Sequence, residues 1–338
     1  MSALLKAHAC VCGNGVTMID TRCGLRCERC SFKESQGCKG CIASNGKPFH
    51  GECSVAECCQ EKEQIHCGEC REFPCKLLIQ YSNDPVHGDN PAGARIEQCR
   101  QWSDEVRNKT INGLRINNYQ EFYRALLQCG FTIGGANPEG IFSLCSKFTG
   151  KICWHTEDSD TDPWEWRMRV LDEQEDIAYS KVFLKKSGYI TKEWIPYFLS
   201  VRRKGESLEE AYLAGTVSNM AKRIYELIEE HKCLAFHDIK KLGKFSKEDN
   251  YRFEKSIIEL QMKMYITMCG RKQKTNRYGE GYGWNSTVFC TTEDFWGEEL
   301  CRISAQIKVS EAEEKIREHI LILNPYAEEK KIRKFIYG

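Results

Sequence analysis

The sequence predicts an α+β chain: a Cys-rich, metal-stabilised N-terminal domain followed by a mainly helical region with one β-ribbon. Three observations predict it. Fourteen of the 21 cysteines lie between Cys10 and Cys99, and the other seven are scattered with no close pair. From about residue 118 onward, apolar residues recur at helical spacing between Asn, Ser, Asp and Gly caps. Near the end, two strand-like runs flank a Gly-rich basic loop.

With 338 residues the chain suggests two or three domains, at roughly 150 residues each. Its 41% hydrophobic and 29% charged content is that of a globular chain and excludes disorder. Lys+Arg total 49 and Asp+Glu 48, so a histone-like polycation is excluded, though a local basic patch is not. Residues 201–277 hold such an excess, 17 Lys+Arg against 11 Asp+Glu. The opening MSALLKAHACVCGNG has a short apolar run broken by Lys6 and His8, so no signal peptide is read. No run of eighteen apolar residues predicts a membrane helix. A cytoplasmic location is expected, where thiols stay reduced and clustered cysteines point to metal rather than disulfides. Three regions are expected: 1–110, 113–205 and 206–338, the first boundary falling in RNKTING at 107–113.

In the first region the order is Cys23, Cys27, Cys30, Cys38, Cys41, Cys53, Cys58, Cys59, Cys67, Cys70, Cys75, with Cys-x2-Cys pairs at 27/30, 38/41 and 67/70. A two-residue spacer lets a tight turn aim both sulfurs at one ion, and two such knuckles complete a four-cysteine zinc site. Gly37, Gly40 and Gly68 suit the turns. The expected ligands are Cys23, Cys27, Cys30, Cys38, Cys41, Cys53, Cys58, Cys67, Cys70 and Cys75. His66, beside Cys67, is expected as a hydrogen-bonding neighbour rather than a ligand. Zinc is the expected metal and an iron–sulfur cluster the alternative, since Cys23-x3-Cys27-x2-Cys30 also fits a cluster triad. Few large apolar residues stand here, so metal supplies much of the folding free energy. The strings CGLRCERC, GCKGC, HCGECREFPC and IEQCRQW, over about residues 20–102, resemble a Cys-rich family of unknown function. That resemblance implies metal binding and no established reaction.

The middle region opens with NYQEFYRALLQC (118–129), which places Tyr119, Phe122, Leu126 and Leu127 on one helical stripe ending at Gly130. Asp162 before Pro163 marks a second helix start. Around it His155, Glu157, Asp158, Asp160, Asp162, Trp164, Trp166 and Arg167 crowd together. Three readings stand open: a hard-cation or catalytic carboxylate site, capping and solvated acids, or a pocket with indole walls and Arg167 as an anion clamp.

The third region predicts a helix capped by Thr216 or Ser218 and running to about Lys232, then a short helix over 235–243. A third helix, capped by Ser246, runs to about Met262. A strand over 264–270, a basic loop over 271–283 and a return strand over 285–292 follow. Three helices and a β-ribbon are the order of a winged helix, whose third helix enters the major groove while the wing lies on phosphates. The candidate DNA contacts are Lys247, Asn250, Arg252 and Lys255 on the helix, and Arg271, Lys272, Lys274 and Arg277 on the wing. Use of the same fold for protein contacts is the plainer alternative.

The pattern WHTEDSDTDPWEWR, FLKKSGYITKEW, PYFLSVRR, GRKQKT and GYGW, over about residues 115–338, resembles bacterial proteins related to the AlkZ-type DNA glycosylases. The resemblance implies a family whose enzymes act on alkylated or crosslinked DNA through a Gln-apolar-Gln or Gln-apolar-Asp motif. Gln64-Ile65-His66, Gln261-Met262-Lys263 and Gln306-Ile307-Lys308 have the wrong third residue, and Gln174-Glu175-Asp176 has an acidic middle inside an expected helix. No catalytic residue is assigned. The expectation is a zinc-binding, winged-helix protein of DNA-repair-related type that binds duplex DNA without catalysis. The alternatives are a divergent glycosylase and a redox- or metal-responsive DNA-binding regulator.

Overall fold

The computed structural model describes residues 19, 21–27, 30–70, 72–275, 278 and 280–338. Its contacts divide the chain into two units, 1–109 and 110–338. The division falls inside a helix that contains RNKTING, so that polar stretch is not a loop.

The first unit is a set of short helices: α1 (Ser31–Ser35), α2 (Gly40–Ala43), α3 (Ser54–Glu61), α4 (Lys76–Ser82) and the start of α5 (Ala94–Gly113). Its small core joins Val55, Leu78 and Trp102 to the sulfurs of Cys23, Cys59, Cys67 and Cys99. Two glycines let loops press against α5. A side chain at Gly24 would collide with the Arg95 carbonyl, and one at Gly68 with the Cys99 carbonyl. Inside this unit Asp89 and Arg95 form a buried ion pair, and Asp89 also accepts from Ser82 Oγ at 2.6 Å and from the Arg95 N–H at 3.0 Å.

The second unit is α+β. In order it runs α6 (Tyr119–Cys129), β1 (Phe131–Ile133), α7 (Pro163–Glu173), β2 (Ile177–Phe183), β3 (Lys186–Thr191), α8 (Ile195–Arg203) and α9 (Leu208–Leu213). Then come α10 (Asn219–His231), β4 (Cys233–Ala235), α11 (Phe236–Leu242), α12 (Asn250–Met262), β5 (Ile266–Thr275) and β6 (Gly281–Thr291). Four helices close it: α13 (Thr292–Trp296), α14 (Glu298–Gln306), α15 (Val309–Leu323) and α16 (Glu329–Tyr337). Two antiparallel sheets form, ordered β1-β3-β2 and β4-β6-β5. One hydrophobic core takes side chains from residues 111 to 336, so the stretches 113–205 and 206–338 fold around the same interior.

Local signals account for many boundaries. Asn118 Oδ1 accepts from the Glu121 N–H at 2.9 Å to start α6. Gly130 ends that helix at φ +77°, where a side chain would also strike the Trp194 indole. Ser218 caps α10, and Gly243 ends α11. At α12 the expectation is corrected. Ser246 donates both its N–H and its hydroxyl to Asp249 Oδ2, but the helix begins after Asp249, because residues 247–249 form a separate turn. The expected loop over 271–283 is also corrected, since β5 runs on to Thr275 and β6 starts at Gly281. Cross-strand pairing with β6 extends these polar residues despite their loop-like composition.

Arg202, at the end of α8, gathers the second unit. Its guanidinium donates to the carbonyls of Val182, Met262, Phe335 and Ile336, from β2, α12 and α16. Loss of water around it lowers its pKa to about 9. Removing it strands several carbonyls that lie away from water. Arg202→Met therefore lowers stability by about 3 kcal/mol or more, and Arg202→Lys restores only part, because one ammonium cannot match the planar fork. Urea unfolding of the three proteins measures this; a loss below about 1 kcal/mol for the Met variant contradicts it.

Candidate nucleic-acid interface

The exposed half of α12 follows from its buried half. Phe253, Ile257 and Leu260 face the core, which turns Asn250, Arg252 and Lys255 outward, with Lys247 exposed in the preceding turn. Tyr251 is exposed among them. Asn250 Oδ1 accepts from Lys240 Nζ at 2.8 Å, which fixes its amide. At the other end of α12 Gln261 is buried. Its Oε1 accepts from Ser180 Oγ at 2.9 Å and the Lys181 N–H at 3.0 Å, while its Nε2 donates to the Ile257 carbonyl at 3.0 Å. The helix is thereby pinned to β2.

On the hairpin, Arg271, Lys272 and Lys274 lie on strand β5 rather than on a loop, and Arg277 falls outside the described residues. Two of the three carry intramolecular partners. Arg271 Nη1 stands 3.4 Å from Glu165 on α7, and Lys272 Nζ stands 2.9 Å from Asp238 on α11. These acids lie 106 and 34 residues away along the chain, so nothing local marks them as partners.

The crowd at 155–167 separates. Asp162 is buried at the N-terminus of α7. Its Oδ1 accepts from the Trp164 N–H at 2.8 Å, and its Oδ2 from the N–H groups of Thr156 at 2.7 Å and Glu157 at 3.1 Å. Burial pushes its pKa up, but these donors and the His155 N–H outweigh it and hold the carboxyl below its usual range. Capping therefore accounts for Asp162. Trp166 is in the core, stacked on Phe122 with ring centres 4.9 Å apart, so it walls no open pocket. Asp160 is exposed and presents its backbone carbonyl to the Tyr119 N–H. What stays at the surface is an aromatic cluster: Trp154 and Trp164, each 41% exposed, with the His155 ring tilted between them, 4.9 Å from Trp164. The Arg167 guanidinium lies 3.3 Å over the Trp164 ring. His155 holds this place at φ +62°, a left-handed conformation that the Asp162 bonds stabilise.

The remaining Gln triplets are also placed. Gln174 ends α7, so Glu175 and Asp176 lie beyond the helix rather than inside it; Asp176 accepts from Tyr123 Oη at 3.2 Å. Gln306 is the last residue of α14, and Gln64 reaches the Glu69 carbonyl within the first unit.

In the first unit Cys23, Cys41 and Cys67 are buried, while Cys27, Cys30, Cys38, Cys53, Cys58, Cys70 and Cys75 are partly exposed. The turns are tight: the Cys30 N–H reaches the Cys27 carbonyl at 3.2 Å, and the Cys70 N–H the Cys67 carbonyl at 3.1 Å. Cys59 Sγ stands 3.5 Å from Cys67 Sγ, and Cys99 is buried in the same small core. Neither Cys59 nor Cys99 stood among the expected ligands; the Cys58-Cys59 doublet was the available signal for the former. Burial pushes Cys23 up to about 11. His66 is buried, its Nδ1 accepting from the Gly68 N–H at 3.1 Å. Among the described residues, no three His, Cys, Asp or Glu side chains are gathered around one point as a metal ion needs.

The fold and this surface define an α+β protein that presents a helix with exposed cations and a basic strand of a hairpin, accompanied in the same chain by a small Cys-rich helical unit. The chain belongs to the AlkZ-related family, which matches residues 116–337, more than half of its length. Residues 19–80 match a second family, described as a protein of unknown function (DUF3795). No curated protein and no solved structure matches the chain. Among the described residues, no helix is long and apolar enough to cross a membrane.

The Asp162 cap generates a prediction. Because folding lowers its pKa, the stabilisation is fully present above the unfolded value of about 3.9 and disappears as pH falls through the folded value. Asp162→Ala therefore costs about 1–2 kcal/mol at neutral pH, and the gap from the parent protein narrows below about pH 4. Urea unfolding across that pH range measures it; a gap independent of pH contradicts the assignment.

Proposed function

We propose that the protein is a DNA-binding member of the AlkZ-related family that acts without base excision. The observation that carries this reading is the run α10–β4–α11–α12–β5–β6 with sheet order β4-β6-β5, which suits a winged helix. On this reading α12 enters the major groove with Asn250, Arg252 and Lys255, and Lys247 meets phosphates beside it. The β5–β6 hairpin lies along the backbone through Arg271, Lys272 and Lys274. The absence of catalysis rests on Gln261 and Asp162. Both are committed to internal hydrogen bonds, and neither is free to orient a water at a sugar.

The test is duplex binding by fluorescence anisotropy across a salt series. Each phosphate contact contributes about 0.9 to the slope of log affinity against log salt. Arg271→Ala, Lys272→Ala and Lys274→Ala together should reduce that slope by about two to three units. An unchanged slope, or no binding at low salt, overturns the interface. Base release from an alkylated duplex overturns the non-catalytic reading.

A second reading concerns the Cys-rich unit, which we propose binds zinc. It is favoured by the knuckle turns and by the Cys59–Cys67 separation of 3.5 Å. That is close to the roughly 3.8 Å between sulfurs bound tetrahedrally at about 2.3 Å from zinc. The Cys-x2-Cys pairs at 27/30, 38/41 and 67/70 would supply the ligands, and the sulfurs would have to draw closer around the ion than they stand here. When bound, the metal would supply a structural cross-link where apolar residues are few. Metal analysis of the purified chain should find about two zinc ions, falling by about one in a Cys27→Ser, Cys30→Ser double variant. Stoichiometric iron with a visible chromophore, or no metal, overturns it.

A further inference from the structure

The aromatic cluster at the start of α7 adjoins the cations of the hairpin. Glu165, the residue after Trp164, is the partner of Arg271 at 3.4 Å, and α7 packs on β5. Trp164 thus stands on the same helical turn as the carboxylate that Arg271 reaches. Further along the ladder Lys274 is directly opposed by Tyr282, which is exposed. Cations and aromatic rings therefore follow one another from α7 to the hairpin.

The cluster is fixed from two sides. The Arg167 guanidinium lies 3.3 Å over the Trp164 ring, and at that separation it can only lie face to face with the indole. Its Nε donates to the Trp164 carbonyl at 2.6 Å, which holds it there. Among the described residues no carboxylate pairs with Arg167, whereas Arg271 and Lys272 each have one. On the other side, buried Asp162 accepts from the N–H groups of Thr156 and Glu157, which fixes the loop that carries Trp154 and His155.

The chemistry of this surface narrows what can cover it. Indole and guanidinium planes stack on other planar π systems. A cationic ligand is disfavoured, because Arg167 already lies on the Trp164 face. A phosphate is disfavoured on the loop itself, because Glu157, Asp158 and Asp160 are exposed there. A nucleobase is neutral and planar, and the cations of β5 stand ready for its phosphate. Inside a duplex each base is covered on both faces by its neighbours, so an unpaired base alone offers a free face. We propose that Trp154, Trp164 and Arg167 form a stacking platform for an unpaired base, and that the protein binds DNA in which a duplex borders a single-stranded segment. The inference rests on the DNA-binding reading above and names its substrate class. The duplex lies on α12 and β5, and the single strand passes over the start of α7.

The test is fluorescence anisotropy of the full chain with a labelled blunt duplex and with the same duplex carrying a tail of about six thymidines on its 3′ or its 5′ end. One stacked base contributes a factor of about ten, so at least one tailed duplex should bind about tenfold more tightly than the blunt one. Trp154→Leu with Trp164→Leu keeps the apolar bulk and removes both planar rings. Both positions are exposed, and an unchanged circular dichroism melt checks the fold. The double variant should lose the tail-dependent gain and keep blunt-duplex affinity within about twofold. Equal affinity for blunt and tailed duplexes in the parent protein overturns the platform and leaves the duplex interface standing. A gain that survives in the double variant also overturns it, since the tail then binds elsewhere. Binding of a tailed duplex alone, lost in the variant, supports the platform and overturns the duplex interface. No binding of any of the three DNAs overturns both and leaves the exposed indoles to a protein partner.

Discussion

The second unit depends on one guanidinium. Arg202 brings the end of α12, the end of β2 and the C-terminal α16 to a single point, because only a planar group with five donors reaches carbonyls from three elements at once. The Phe183 and Phe198 rings lie within 6 Å of it and exclude competing water. Arg203, next along the chain, adds bonds to Glu293 and the Met264 carbonyl, so consecutive arginines fix both ends of the short link from α12 to β5. The orientation of the exposed half of α12, and of the hairpin that follows, is set from this interior anchor. Gln261 then removes the remaining freedom of α12 by tying it to β2.

The same anchoring bears on chemistry. A side chain that positions a reacting water needs lone pairs or protons to spare at the surface. Gln261 and Asp162 have spent theirs on backbone and hydroxyl partners. Trp166, the largest aromatic of the 155–167 segment to be fully buried, is spent on packing against Phe122 and Phe148. What this segment leaves outside is a cluster of indole, imidazole and guanidinium groups, held in place by one capping carboxylate.

Much of the fold was legible in the sequence where the cause is local. Asn118 and Gly130 bracket α6, Asp162 and Pro163 open α7, and Ser218 opens α10, because each cap acts on its own helix within four residues. The hairpin was legible in kind but not in length: Arg271, Lys272 and Lys274 look like loop residues, and only pairing with β6 makes them strand. Contacts between distant segments left no local trace. His319 stacks on Trp194 at 4.2 Å and bonds to the Cys129 carbonyl, joining residues up to 190 apart, and no periodicity announces such a contact. For the same reason Trp164 and Trp166, two residues apart, could not be sorted into surface and core until the sheets behind them were known. In the first unit the knuckle spacing was plain, whereas the approach of Cys99 to Cys67 required α5 to fold back over a glycine.

The ion pairs of β5 have a further meaning. Glu165 and Asp238 act as tethered counter-ions for Arg271 and Lys272, present at a fixed local concentration whatever the surrounding medium contains. A polyanion approaching this strand is a competitor for cations already engaged. Loose, single contacts lose that competition, while a ligand that replaces several carboxylates at once, in the right spacing, wins it. On the proposed DNA-binding reading, the acids would raise the number of simultaneous contacts a polyanion must make before it displaces them.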